Sequence, residues 1–202
     1  MYDRGNIMTE DERLEILKWA NSFIPKPGVF NNSRKTRILQ NNRGDINLLE
    51  MDKDPDVDVP PAVFAIKKRI EKKENLQNFE HDTHFGHFMS IIFKGGYIHK
   101  HTDPNYDEKK LFHVRFNVII TLPKKGGTTY YAGNQLDSKE GSYALCRSGI
   151  DYHWSDVVEG DIPRIALSFG YALPSWKVND LCSDPKIGTY KKLYPLFDTF
   201  FS

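Results

Sequence analysis

The hydrophobic rhythm of the chain changes near residue 85. Before it, apolar residues recur at helical intervals; after it, they come in short runs cut by turn residues. Thr9, with Glu12 three positions on, makes a capping box, and Leu14, Leu17, Ala20 and Ile24 follow at near-helical spacing until Pro25 and Pro27. A first helix is therefore predicted from Thr9. A second is predicted over about 60–75, where Pro60 and Pro61 suit a first turn and Val63, Ile66 and Ile70 form an apolar stripe. The charges Lys67, Lys68, Arg69, Glu71, Lys72, Lys73 and Glu74 cover its other faces as a solvated surface. Between the helices, 37–40 and 46–49 read as short strands and 52–58 as an acidic loop.

From residue 85 onward, apolar runs fall at 88–93, 112–122, 128–131, 142–146, 153–158 and 164–173. Gly95-Gly96, Pro104-Asn105, Gly126-Gly127, Gly133-Asn134, Ser148-Gly149 and Glu159-Gly160-Asp161 separate them. Short strands spaced in this way predict a mainly β, α+β fold of the sandwich or jelly-roll kind, with the two early helices bracing one sheet from outside. The aromatic tail, 174–202, with Trp176, Tyr190, Tyr194, Phe197, Phe200 and Phe201, is expected to pack on the body.

Composition narrows the partners rather than the fold. The 202 residues fit one domain, 1–202, with helical support over 1–80 and a strand core over about 85–173. With 28 Lys and Arg against 27 Asp and Glu, the net charge of +1 gives no electrostatic footprint for DNA, RNA or an anionic membrane. No apolar stretch approaches a membrane span, and the first residues lack the basic start and apolar middle of a secretion signal. The two cysteines, Cys146 and Cys182, do not make a disulfide framework, so a reducing cytoplasm is the expected compartment.

The candidate chemistry lies in His101-Thr102-Asp103, His153 and Arg164. In a strand, side chains two apart share a face, so His101 and Asp103 can reach one ion while Thr102 points away. His153 follows as the only histidine after His113. Two imidazoles and a carboxylate on one face of an iron(II) ion leave positions open for substrate and dioxygen. His99 shares the parity, but the residue two beyond it is His101 and not a carboxylate; His81, His84, His87 and His113 read as structural or exposed. His153, between Tyr152 and Trp154, also fits a plain hydrogen-bonded strand residue. Arg164 opens an apolar strand, where a buried cation needs an anion; Asp161 and Glu159 are the competing partners nearby.

Phe93-Lys-Gly-Gly-Tyr97-Ile-His-Lys-His101-Thr-Asp103, Val114-Arg-Phe-Asn-Val-Ile-Ile-Thr-Leu-Pro123, Gly126-Gly127, His153 and Arg164-Ile-Ala-Leu-Ser168 together resemble the iron(II)- and 2-oxoglutarate-dependent dioxygenases. The stretch, 88–173, is most similar to small prolyl-hydroxylase-like members, and Arg115-Phe116-Asn117 is also similar to the aspartyl/asparaginyl hydroxylases. The resemblance implies a double-stranded β-helix, iron(II) held by His101, Asp103 and His153, and Arg164 on the distal carboxylate of 2-oxoglutarate. An arginine suits that task because its planar fork binds a carboxylate with two charge-assisted bonds; many collagen-type prolyl hydroxylases carry lysine there. Asn117, Arg115 and Tyr97 fall where relatives contact cosubstrate or substrate. The implied reaction consumes dioxygen and 2-oxoglutarate, releases succinate and carbon dioxide, and hydroxylates a C–H bond, with ascorbate as a candidate reductant. Asp103 favours hydroxylation over halogenation, since related halogenases lose that carboxylate.

The implied substrate is a prolyl residue in a protein or peptide, followed by a free amino acid or other small molecule. The 104–110 loop reads equally as a lid or a surface connection; Lys109, Lys110, Lys124 and Lys125 could draw an acidic substrate, and Tyr130, Tyr131, Tyr152 and Trp154 could line the pocket. A cupin-like metalloenzyme without 2-oxoglutarate, and a metal-free jelly-roll binding or structural protein, are the competing classes.

Overall fold

Thr9 caps the first helix as predicted: its hydroxyl accepts from the Glu12 N–H at 3.2 Å and the Glu12 carboxylate accepts from the Thr9 N–H at 2.8 Å. Thr9→Ala should therefore lower the unfolding free energy by about 1 kcal/mol, read as a lower urea midpoint at unchanged slope. The computed structural model describes residues 3–24, 36–48 and 59–183. Their elements run β1 (Asp3–Asn6), α1 (Glu10–Ser22), β2 (Thr36–Leu39), β3 (Arg43–Asn47), α2 (Pro61–Glu74), β4 (Phe88–Ile92) and β5 (Ile98–His101). There follow β6 (Leu111–Thr121), β7 (Thr129–Tyr131), β8 (Asn134–Gln135), β9 (Ser142–Cys146), β10 (His153–Ser155), β11 (Arg164–Pro174) and α3 (Ser175–Cys182).

Seven strands form one antiparallel sheet in the order β1-β9-β6-β11-β4-β3-β2, and four form the other in the order β5-β10-β7-β8. This is a jelly-roll arrangement, one of the two that the strand spacing predicts, and the double-stranded β-helix that the resemblance implies. Alternation along the large sheet decides what each face does. Met89 and Ile91 of β4, Val114, Phe116 and Val118 of β6, and Ile165, Leu167 and Phe169 of β11 join one core with Ile16 and Ala20 of α1 and Val63, Ile66 and Ile70 of α2. The intervening residues, Phe88 and Ser90, Arg115 and Asn117, and Arg164, Ala166 and Ser168, line a cavity instead.

The helices match the prediction except in phase: Ile16 and Ala20 are the buried pair of α1, whereas Leu14, placed in the predicted stripe, is 47% exposed. α2 begins at Pro61 and closes on Asn75 in the left-handed region, φ 54°. β1, β8 and α3 are elements that the apolar pattern does not announce. The Gly133-Asn134 turn falls one residue earlier, at Ala132-Gly133, with Tyr131 opposite Asn134. Gly126 is required as glycine: at φ +74°, a Cβ there would meet the Val157 carbonyl oxygen at 2.0 Å. The acidic loop 52–58 lies outside the described residues, as does the tail from residue 184, including Tyr190, Tyr194, Phe197, Phe200 and Phe201. Trp176 remains exposed, with its ring 5.7 Å from that of Phe79. No helix among the described residues is long and apolar enough to cross a membrane.

His87 gives the fold a built-in acid sensitivity. Its Nδ1 accepts from the Gly170 N–H at 3.1 Å, and burial depresses its pKa from 6.5 to about 3. The folded state thus binds this proton less readily than the unfolded chain. Stability from this site is complete above the unfolded pKa and falls as pH drops below 6.5 towards 3, by up to about 1.4 kcal/mol per pH unit. Urea midpoints measured from pH 7 to pH 5 should show that decline. His87→Gln, which keeps an acceptor for Gly170, should flatten it.

Candidate metal centre

Strand register brings the two predicted histidines together. β10 pairs antiparallel with β5 so that His153 faces His101, and their ring centroids lie 4.3 Å apart. β5 ends at His101, so Asp103 reaches the site from beyond the strand and not through the expected strand parity. The Asp103 N–H donates to the Ser148 carbonyl at 2.8 Å, which holds the chain after the strand. Asp103 Oδ1 then stands 3.4 Å from His101 Nε2, and Oδ2 stands 4.0 Å from His153 Nε2. One ligand atom from each of the three residues lies within 4.8 Å of the others, the one such metal-capable cluster found among the described residues.

The imidazoles are already oriented. His101 Nδ1 lies 2.7 Å from the His99 carbonyl oxygen and His153 Nδ1 lies 3.1 Å from that of Asp151. A carbonyl only accepts, so both Nδ1 atoms carry hydrogen and both Nε2 lone pairs point into the shared space. The nearby Asp103 carboxylate pushes the His101 pKa up, and burial pushes that of His153 down. Burial also acts to raise the Asp103 pKa, but His101 and the neighbouring cationic groups outweigh it and hold the carboxyl below its usual range. A charged carboxylate with two imidazole nitrogens fits a divalent transition metal by donor type and number. His99 contributes its carbonyl to this arrangement; its ring is exposed.

The cluster opens into a cavity of about 380 Å3 that Arg164, Asn117, Arg115, Tyr131 and Trp154 also line. Arg164 is 4% exposed, and neither a hydrogen bond nor an ion pair engages it among the described residues. Its sequence neighbours are taken elsewhere: Asp161 by Lys94 at 2.9 Å, and Glu159 by Lys125. Burial accordingly depresses the pKa of the Arg164 guanidinium. Arg115, a second predicted contact, differs in that its donors are occupied. It bonds Ser168 Oγ at 2.7 Å, Asp82 at 2.8 Å and the Gly86 carbonyl at 2.7 Å. From it runs an ordered chain: Ser168 Oγ donates to Asn117 Oδ1 at 2.6 Å, and Asn117 Nδ2 donates to the Tyr131 hydroxyl at 2.7 Å. Tyr97 is exposed on the loop before β5 and lies outside the cavity wall.

The loop 104–110 is tied down at several points. Asn105 donates to the Gly149 carbonyl at 2.8 Å and accepts from the His113 N–H at 3.0 Å, and the Tyr106 hydroxyl bonds Asp82. That anchoring suits a fixed rim better than a lid. Lys109, Lys110, Lys124 and Lys125 do not line the cavity, and Lys109 pairs with Glu80. Trp154 stacks on Tyr130 at 4.8 Å with 8° between the planes, while Tyr152 is exposed.

Asp82 and His113 carry no local signal of a site in the sequence, yet both are fully buried beside Asp103 and Arg115. Arg43 and Asp45 of β3 also face the cavity. Their positions depend on cross-sheet register, since Arg43 and Arg164 both lie opposite Ile92 of β4.

Neither a protein-family model nor a curated protein sequence matches the chain. Solved structures share its fold. The viral collagen prolyl hydroxylase of Paramecium Bursaria Chlorella virus-1, in complex with 2-oxoglutarate, is 13% identical with a TM-score of 0.58, over 86% of this chain and 96% of that one. The prolyl hydroxylase of Trichoplax adhaerens, in complex with a hypoxia-inducible-factor peptide, is 12% identical with a TM-score of 0.59, over 87% of this chain and 84% of that one. HygX of Streptomyces hygroscopicus, with nickel, 2-oxoglutarate and hygromycin B bound, is 10% identical with a TM-score of 0.58, over 86% of this chain and 82% of that one.

Proposed function

We propose that this chain is an iron(II)- and 2-oxoglutarate-dependent hydroxylase, with His101, Asp103 and His153 as metal ligands and Arg164 as the anchor of the far carboxylate of 2-oxoglutarate. The observation that carries the reading is the shared cavity, into which a three-donor cluster and a buried guanidinium without a partner among the described residues both open. A dicarboxylate answers both requirements: one end has the chemistry of a metal ligand, and the other supplies the anion that offsets the desolvation of Arg164. Support by likeness comes from the chlorella-virus enzyme, which holds 2-oxoglutarate, and from HygX, which holds nickel and 2-oxoglutarate. Iron(II), once bound, would supply the activation of dioxygen coupled to decarboxylation of the cosubstrate.

The residues of the chain do the rest. The His99 and Asp151 carbonyls keep the His101 and His153 lone pairs directed inward. Asn117 and Ser168 fix the Tyr131 hydroxyl beside the cavity, and Cys146, whose thiol burial keeps protonated, packs near it. Leu39, Phe85, Phe88, Ile98 and Trp154 supply apolar wall that limits water. Two free thiols accord with a reducing cytoplasm, where ferrous iron is kept reduced.

For the substrate, a prolyl residue in a peptide is the first choice and a free amino acid or other small molecule the second. The apolar wall suits an uncharged ring, and the Trichoplax enzyme binds a peptide while HygX binds hygromycin B. The test is mass spectrometry of proline peptides and free amino acids incubated with protein, iron(II), 2-oxoglutarate and air. A gain of one oxygen that requires both iron and 2-oxoglutarate is expected. Oxidation of oligonucleotides with no product from that panel would reject the substrate class.

A further inference from the structure

The connection from β9 to β10 supplies no ligand to the candidate metal centre, yet two of the three ligands hang on it. Residues 147–151 form one compact turn: the Arg147 carbonyl accepts from the N–H groups of Ile150, at 2.8 Å, and Asp151, at 2.7 Å. Two carbonyls of this turn reach the ligands. That of Ser148 accepts from the Asp103 N–H at 2.8 Å, and that of Asp151 lies 3.1 Å from His153 Nδ1. The turn is fastened to β6 at His113. The His113 carbonyl accepts from the Gly149 N–H at 2.9 Å, and the Asn105 amide bridges the Gly149 carbonyl and the His113 N–H, at 2.8 and 3.0 Å.

An ion pair held out of water closes the turn. Arg147 and Asp151 are each 4% exposed, and Arg147 Nε and Nη2 donate to the two carboxylate oxygens of Asp151 at 2.9 and 2.7 Å. Arg147 therefore grips residue 151 twice, with its carbonyl on the N–H and its guanidinium on the carboxylate. Stability alone does not account for the pair, because exchanging a buried ion pair for apolar side chains of similar volume is commonly neutral or stabilising. A planar fork does fix direction. Direction is what His153 needs, since its Nδ1–H follows the Asp151 carbonyl and a rotated peptide there would swing Nε2 away from Asp103.

We propose that Arg147 is a positioning residue for the metal centre: its fork on Asp151 keeps the 147–151 turn closed, and the closed turn holds His153 and Asp103 in register through its two carbonyls. This rests on reading His101, Asp103 and His153 as metal ligands. His101 is independent of the turn, because its Nδ1 is held by the His99 carbonyl on β5. Groups that orient metal ligands contribute to affinity without touching the metal.

Cobalt(II) is the probe, in the full chain. The double variant Arg147→Met, Asp151→Leu removes both charges together, so it strands no buried charge and should fold. Its metal-free thermal melt should match or exceed that of the parent, while its cobalt(II) affinity falls about 10 to 100-fold, the cost of losing a ligand's outer partner. Proton NMR of the cobalt(II) form separates positioning from general loosening. The imidazole N–H of His153 should exchange faster with solvent in the variant, and that of His101 should keep its parent rate. Parent-like cobalt affinity in the folded double variant, or equal acceleration of both signals, would overturn the proposal. If the double variant does not fold, Asp151→Asn decides, since it keeps the shape but weakens the charge-assisted fork: a loss of about threefold or more with the His153 signal alone accelerated upholds the proposal. Parent-like affinity and exchange in that variant overturn it. A parent that takes up no cobalt(II) rejects the metal reading itself, and this inference with it.

Discussion

His153→Ala should leave the chain folded and remove nearly all of its iron(II) binding. The side chain is one of three donors, and its Nε2 is aimed at the site by the Asp151 carbonyl at 3.1 Å. The loss should exceed the roughly 10 to 100-fold that removal of a ligand's outer partner costs, because here the ligand itself is gone. The fold should survive, since His153 is a half-buried residue at the start of a three-residue strand whose backbone pairing to β5 and β7 does not need the ring. Anaerobic titration with iron(II), alongside a thermal melt of the metal-free proteins, reads both effects. Unchanged iron affinity in a folded variant would remove His153 from the centre.

Arg164→Met should weaken 2-oxoglutarate binding at least tenfold, about 1.4 kcal/mol or more, as expected for loss of a charge-assisted bidentate pair. The same change should leave the metal-free protein as stable as the parent or more stable. Arg164 is 4% exposed and, among the described residues, has no counter-anion to compensate its burial, so an apolar chain of similar length relieves a cost. An arginine with only a packing role predicts the opposite pair of results: unaltered cosubstrate affinity and lower stability. In that case Arg43, which faces the same cavity, becomes the next cation to test. Arg115 is a poorer choice, because Asp82, Ser168 and Gly86 already take its donors.

The contrast between these arginines marks the limit of what the sequence makes legible. Both lie in apolar strands, and in the structure both line one cavity. What distinguishes them is partner supply: Asp82, from a loop 33 residues away, neutralises Arg115, while the acids nearest Arg164 in sequence pair with lysines. No local pattern encodes either fact. The same holds for the candidate metal cluster. Residue types and spacing identify His101, Asp103 and His153, but the reason they meet is the β5–β10 register and a backbone bond from Asp103 to Ser148, not parity along one strand.

Elements with strong local signals, such as the Thr9 capping box, the Pro60-Pro61 start of α2 and the long apolar strands β6 and β11, are readable because local chemistry and burial agree. β1 is missed because Asp-Arg-Gly-Asn has no apolar face and forms a strand only by pairing with β9. His113 reads as a structural histidine from sequence, and its burial agrees; its contact with Asp103 emerges only when Asp82 is brought against β6.

On the proposed reading, the cavity couples metal and 2-oxoglutarate to oxygen-dependent oxidation. The most direct measurement loads the protein anaerobically with iron(II) and 2-oxoglutarate, admits air in the presence of the proline-peptide and amino-acid panel, and quantifies succinate. Succinate formed in step with 2-oxoglutarate consumed, absent without iron or without oxygen, is the predicted result. Iron uptake by His101, Asp103 and His153 with no succinate above the metal-free control would contradict the account and favour a metalloenzyme of the same fold that does not use 2-oxoglutarate.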